Sequence, residues 1–310
     1  MPKIVAGVDS STQSVKVVLR EADSGELIAT TSRPHPDGTE VDPREWKQAL
    51  DRALDEVSKY KIDAISIGGQ QHGMVALDSE GKVIRHALLW NDTRSDKAAL
   101  DLNHEIPDIH NRTGSQLVAS FTASKVRWLA DNEKANADKV AAIALPHDWL
   151  SWQLTGAANI DTLFTDRSDA SGTGYFDSVR NEYCKDIFAT ALRSDREVFL
   201  PTIIAPHKFG GATTSGANIA AGAGDNAGAA LGLGASVGDL VISLGTSGTA
   251  FAVSSTPTHD PSGEVAGFAD ATGNFLPLAC TLNAAKIFNT VATTLGISFD
   301  EFSQLALTAK

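Results

Sequence analysis

Cysteine is nearly missing from this chain: Cys184 and Cys280 are the only two in 310 residues. They lie far apart without paired spacing, which excludes a disulfide framework and a cysteine-based zinc site. No run of 18 consecutive apolar residues occurs, so no membrane-spanning helix is expected. The N-terminus, MPKIVAGVDS, enters a strand-like run at once and lacks the basic-then-apolar pattern of a leader. Positive charge is also short, with 26 Lys and Arg against 38 Asp and Glu, a net charge of -12. Such an acidic surface repels a phosphate backbone, so nucleic acid is not expected as a partner. A small anionic ligand stays compatible, because a few backbone amides and one metal ion outweigh the global field locally. These absences lead to the expectation of a reducing, cytoplasmic setting.

What remains is globular: 42% hydrophobic and 21% charged residues, with a mean hydropathy of -0.09. That supplies sizeable cores, and the length exceeds what one core usually spans, so two domains are expected. Residues 4–8 and 15–19 form short apolar runs around DSSTQS, which reads as strand, small polar turn, strand. A helix is expected next, with Asp42 as N-cap and Pro43 at its first position. Trp46, Ala49, Leu50, Ala53, Leu54 and Val57 fall on one face of it. Strand-like AISIGG and GMVALD follow, then helical patterns at 121–130 and 147–154 around strand-like VAAIAL. This alternation predicts an α/β layered architecture, and the opening hairpin predicts a mixed sheet. Near residue 206 the composition shifts to Gly, Ala, Ser and Thr, a plausible entry to a second domain. There LVISLGTSGTAFAV repeats the pattern of VAGVDSSTQSVKVVL. A duplicated fold would aim both turns at one cleft, but any two hairpins share this pattern, so duplication stays open.

Several short stretches carry chemistry-bearing groups. In Asp9-Ser10-Ser11-Thr12-Gln13-Ser14-Val15-Lys16, hydroxyls and backbone amides could cradle phosphate. Asp9 could hold Mg2+ through water there, and Lys16 adds positive charge. Gly245-Thr246-Ser247-Gly248 offers the same chemistry with closer backbone approach. Neither matches Gly-x-x-x-x-Gly-Lys-Ser/Thr, which excludes a Walker-type loop. Asp225-Asn226, within GAGDNAG, is equally a general base for phosphoryl transfer or an ordinary turn. Gly69-Gln70-Gln71-His72-Gly73 ends a strand, where α/β folds place ligands. Trp90-Asn91-Asp92-Thr93-Arg94 is either a sugar-pocket wall or a core edge with an Asp–Arg pair. Each stretch alone is ambiguous.

Their order along the chain resembles the FGGY carbohydrate kinases, of the actin-like ATPase superfamily, from the N-terminus to about residue 290. The first phosphate loop of that family is similar to Asp9-Ser10-Ser11-Thr12…Lys16, with Ser10-Ser11 standing where a residue-Gly pair is usual. The Gly-rich entry to its second domain matches Gly224-Asp225-Asn226, and its second phosphate loop matches Ser243-Leu244-Gly245-Thr246-Ser247-Gly248. Gly69-Gln70-Gln71-His72-Gly73 resembles the xylulokinase branch, whereas the glycerol kinase branch has an Arg-Glu pair there. Phe121-Thr122-Ala123-Ser124-Lys125 and Ser168-Asp169-Ala170-Ser171-Gly172-Thr173 are xylulokinase-like too, and no contacts are assigned to them.

The resemblance implies an actin-like (ribonuclease H-like) fold with two domains flanking a cleft, at 1–216 and 217–310. It implies ATP-dependent phosphorylation of D-xylulose to the 5-phosphate, with ATP as co-substrate and Mg2+ as cofactor. Asp225 would be the catalytic base and Asp9 the metal ligand. Gln71, His72, Trp90, Asp92 and Asn226 would bind sugar. Ser11, Thr12, Lys16, Gly245, Thr246 and Ser247 would bind phosphate. A kinase for ribulose, gluconate or glycerol, or a non-catalytic sugar binder, is the alternative, and a homodimer stays open. Members of the family continue well past this point with an adenosine-binding segment. The second domain is therefore expected to be incomplete and to expose apolar surface.

Overall fold

The computed structural model describes residues 2–245, 248–281 and 283–309. Its larger sheet is mixed, as the opening hairpin predicts. Ile4–Ser10, Ser14–Glu21 and Leu27–Pro34 form an antiparallel meander. Ile4–Ser10 also pairs in parallel with Ala64–Gly69. On its other side, Ala64–Gly69 pairs in parallel with Asn218–Ala220 and Ala223–Gly224. Phe209–Ala212 closes that edge.

Alternation sets which side chains enter the core. Val15, Val17 and Leu19 all point inward and are fully buried. They meet Trp46, Leu50 and Ala53 of the helix Pro43–Asp55 in one hydrophobic cluster. That helix begins as its sequence dictates: the Asp42 side chain accepts a hydrogen bond from the Arg44 N–H, and Pro43 opens the first turn. Burying its apolar stripe contributes roughly 2 kcal/mol per large side chain.

A second, antiparallel sheet has the order Leu240–Leu244, Gly248–Ala252, Phe275–Thr281, Ala266–Ala269. Its inner face does not stand apart. Phe251, Phe268, Leu276 and Leu278 share a core with Ala223, Ala227 and Ala230 and with Leu129, Ile187 and Phe188. The two backbones touch where the Gly267 N–H donates to the Gly114 carbonyl at 3.0 Å. The outer face is bare: Leu240, Ile242 and Leu244 alternate onto it and all three are exposed. Beyond the sheet lie the helices Ala285–Leu295 and Phe299–Thr308. A capping box of Ser298 and Glu301 starts the second one. No helix among the described residues is long and apolar enough to cross a membrane.

Candidate active site

Strand register assembles the site. Asp9 and Ser10 lie opposite Gly68 and Gly69, and these lie opposite Ala223 and Gly224. Three parallel strands therefore end in one row, and the residues that follow emerge side by side. At ~4.8 Å per strand, Ser10 and Gly224 are about 10 Å apart, with Gly69 between them. This is the carboxyl-end edge where α/β sheets bind ligands.

Asp9 projects outward, directly across from Lys16 on the neighbouring strand. It is open to solvent on one side but surrounded by protein further out. This partial burial raises its pKa, and Lys16 opposes the shift. In the turn beyond, the Ser11 N–H and hydroxyl both donate to the Ser14 carbonyl at 3.0 Å. His35 braces this turn from behind: its N–H donates to the Gln13 carbonyl, and its Nδ1 lies 2.9 Å from the Ser11 carbonyl. The Thr12 hydroxyl accepts from Trp90 Nε1 at 2.9 Å and reaches toward Gln70 Oε1 at 3.5 Å. Trp90 thus spends its only polar group on the phosphate-type turn.

Gln71 and His72 leave the middle strand of the row. Gln71 is buried and donates through Nε2 to the Ser168 carbonyl at 3.3 Å. His72 adopts a left-handed backbone, φ 69°, unusual for a residue with a side chain. Its Nδ1 lies 2.6 Å from the Gly172 carbonyl. A carbonyl only accepts, so Nδ1 carries the proton, and neutral Nε2 keeps a lone pair with no partner among the described residues. Burial, with Lys125 adding to it, pushes the imidazole down to about 4, which keeps that acceptor intact at neutral pH. Phe121 and Phe268 hold the ring, with centroids 4.9 and 5.5 Å away.

Asp225 opens the helix Asp225–Leu233. Sequence reasoning weighed GAGDNAG as a turn; extended Gly224 and the Ala-rich stretch after it make a helix start instead. The Asp225 Oδ1 accepts from the Asn226 N–H at 2.7 Å and from Asn226 Nδ2 at 2.8 Å. Asn226 in turn accepts from Thr249 of the second sheet at 3.3 Å. The Oδ2 atom has no partner among the described residues. Asp225 is open to solvent on one side yet enclosed by protein mass beyond it. That enclosure lifts its carboxyl to about 6, with Asp9 adding to the rise and Asn226 opposing it.

Asp92 is buried and takes the structural option that sequence left open. Its oxygens accept from Thr39 at 2.8 Å and from the Arg94 backbone and side chain at 3.0 and 2.8 Å. Gly245 follows the strand Leu240–Leu244, and its carbonyl accepts from the Ala285 N–H at 2.9 Å. Thr246 and Ser247 lie outside the described residues.

The segment 168–173, to which sequence assigned no contacts, touches both Gln71 and His72. Nearby, His147 Nε2 lies 3.4, 3.3 and 3.3 Å from oxygens of Asp148, Asp166 and Asp169, all buried. Burial alone would depress His147, but these carboxylates hold it up at about 10. Burial raises Asp148 and Asp169. Among the described residues, His147, Asp148 and Asp169 are the group whose donor atoms lie close enough to share a metal ion. A chain of small polar residues such as DRSDASGT gives no periodic signal, so only the fold reveals this cluster. A cavity of about 100 Å³ lined by Ser66, Asp166, Arg167 and Gly222 adjoins it. That is smaller than typical ligand pockets.

The family model for the N-terminal domain of the FGGY carbohydrate kinases matches residues 4–234. A xylulose kinase of Streptomyces coelicolor is 44% identical, over 95% of this chain and 63% of its own length. The xylulose kinase structure from Bifidobacterium adolescentis superposes with a TM-score of 0.94 at 42% identity, covering 100% of this chain and 70% of that one. A gluconate kinase from Lactobacillus acidophilus gives a TM-score of 0.91 at 23% identity over 100% of this chain and 66% of that one, a likeness of fold alone. The chain thus spans about 63% of the length of the curated relatives it matches.

Proposed function

Because the chain belongs to the FGGY family of carbohydrate kinases, we propose that it phosphorylates D-xylulose at its terminal hydroxyl with Mg-ATP. The observation that carries this reading is the row of strand ends that brings Asp9, Gln71-His72 and Asp225 to one edge. The relatives named above supply the sugar. Residues 1–216 would carry the sugar contacts and the first phosphate loop, and 217–310 the base and the second loop.

The chemistry follows from what each group can do. The His72 Nε2 lone pair accepts from a sugar hydroxyl, and Gln71 is held beside it. Asp225 Oδ2 takes the proton of the terminal hydroxyl as that oxygen attacks the γ-phosphorus in line. The new O–P bond forms while the bond to the β,γ-bridging oxygen breaks, and ADP leaves. Asn226 fixes the Asp225 carboxylate through two hydrogen bonds, so the free oxygen faces the substrate. Trp90 shapes the wall and orients Thr12. Asp92 fixes the loop that carries Trp90.

Asp9 is an outward carboxylate with no side-chain hydrogen bond among the described residues, a hard oxygen donor that suits Mg2+ held through water. The ion supplies charge neutralisation on the phosphates. Ser11, Lys16, Gly245, Thr246 and Ser247 would complete the phosphate contacts.

The test separates binding from chemistry. Asp225→Asn should lower D-xylulose-dependent ADP release at least about 100-fold, the range of a lost general base. D-Xylulose affinity by calorimetry should stay within about threefold. Turnover that survives the substitution would remove Asp225 from the role of base.

A further inference from the structure

Ser168 lies in the short helix Arg167–Ala170 and is fully buried. Its hydroxyl is 2.5 Å from Asp166 Oδ2 and 3.1 Å from the Gly224 backbone nitrogen. Asp166 Oδ2 stands within hydrogen-bond distance of the hydroxyl, so the hydroxyl proton points to Asp166. The oxygen lone pair is thereby turned to the Gly224 N–H, which can only donate. The Ser168 carbonyl accepts from the Gln71 amide at 3.3 Å and from the Ser171 hydroxyl at 2.7 Å. One residue therefore grips the Ala223–Gly224 peptide, just ahead of Asp225, with its side chain and the Gln71 amide with its main chain.

Asp166 is itself fixed. It accepts from the Ser168 N–H at 2.7 Å and the Asp169 N–H at 3.1 Å, and His147 Nε2 lies 3.3 Å from its Oδ1. His147 packs so closely on the strand ends that a Cβ at Gly69 or Gly222 would meet it at 2.9 Å. A Cβ at Gly224 would meet Gln71 Nε2 at 2.7 Å, so that peptide and side chain are already in close contact. We propose that Ser168 is a positioning residue whose hydroxyl, oriented by Asp166, sets the Ala223–Gly224 peptide, just ahead of Asp225, in register with the Gln71 amide. This rests on the sugar-kinase reading and adds to it a residue that touches no substrate.

The experiment follows amide hydrogen exchange, residue by residue, and D-xylulose affinity by calorimetry in the same protein. In the wild-type chain the Gly224 amide should exchange as slowly as the central strand amides of Ala64–Gly69. Ser168→Ala should speed exchange at Gly224 selectively and weaken D-xylulose binding about tenfold, as loss of one buried hydrogen bond implies. Ser168→Thr keeps the hydroxyl and should stay within about threefold on both. Unchanged exchange and affinity in Ser168→Ala overturn the proposal. So does a rise in exchange spread evenly over the molecule, the mark of a merely structural residue. Fast Gly224 exchange in the wild type overturns it without any variant. A wild-type chain that binds no D-xylulose would sink the sugar reading instead, and Gly224 exchange would still decide the role of Ser168.

Discussion

At the scale of single residues the account turns on two groups whose protonation the structure shifts in useful directions. His72 is held neutral, with its proton on Nδ1 and its acceptor lone pair on Nε2. Asp225 is raised to about 6, which makes it a stronger base than an ordinary carboxylate and still ionised at pH 7. In the proposed role the Asp225 carboxylate works only when deprotonated. With Mg-ATP and sugar fixed, kcat/KM should climb as pH rises through about 6 and flatten above it. Asp9→Asn should move that limb to lower pH, because it removes a neighbouring negative charge. An acidic limb near pH 4 in the wild-type protein would show that Asp225 does not carry the step. Most of these residues were legible in the sequence as residue types. Their long-range hydrogen bonds were not: Thr12 with Trp90 and Asp92 with Thr39 form between strands and loops 78 and 53 positions apart.

At the scale of elements, legibility followed periodicity. The helix Pro43–Asp55 announces itself through Asp42, Pro43 and its apolar stripe. The hairpin Ile4–Ser10 with Ser14–Glu21 does so through alternation. The helix Asp225–Leu233 was not legible, because Gly and Ala give no amphipathic contrast and pack by close approach. The four-residue helix Arg167–Ala170 was silent for a related reason: small polar residues favour turns and caps alike. Close approach also joins the second sheet to the rest. A Cβ at Gly267 would lie 2.2 Å from the Thr258 carbonyl oxygen and 2.5 Å from that of Gly114. Both are backbone atoms that cannot swing aside. Gly267→Ala should therefore cost about 3 kcal/mol, the upper range for overpacking, read as the midpoint shift in urea unfolding. A variant as stable as the wild type would mean that this sheet seats less firmly than the contact implies.

At the scale of the whole molecule, the chain has the actin-like ATPase fold of its structural neighbours. The repeated strand–turn–strand pattern at 4–19 and 240–252 corresponds to one hairpin in each sheet. The apolar surface expected of the second sheet is present, on the face bearing Leu240, Ile242 and Leu244. The other face shares its core with Ala223, Ala227 and Ala230, so the helix that begins at Asp225 is anchored on that sheet. The proposed kinase action would draw on both sheets at once, since Asp9 and Gln71 come from one and Asn226 is tied to Thr249 of the other. The most direct test is ADP release by the purified 310-residue chain with Mg-ATP, comparing D-xylulose, D-ribulose, gluconate and glycerol. The account predicts turnover dominated by D-xylulose, with the phosphate on the terminal hydroxyl. Preference for another of these substrates, or no turnover with any of them, would contradict it.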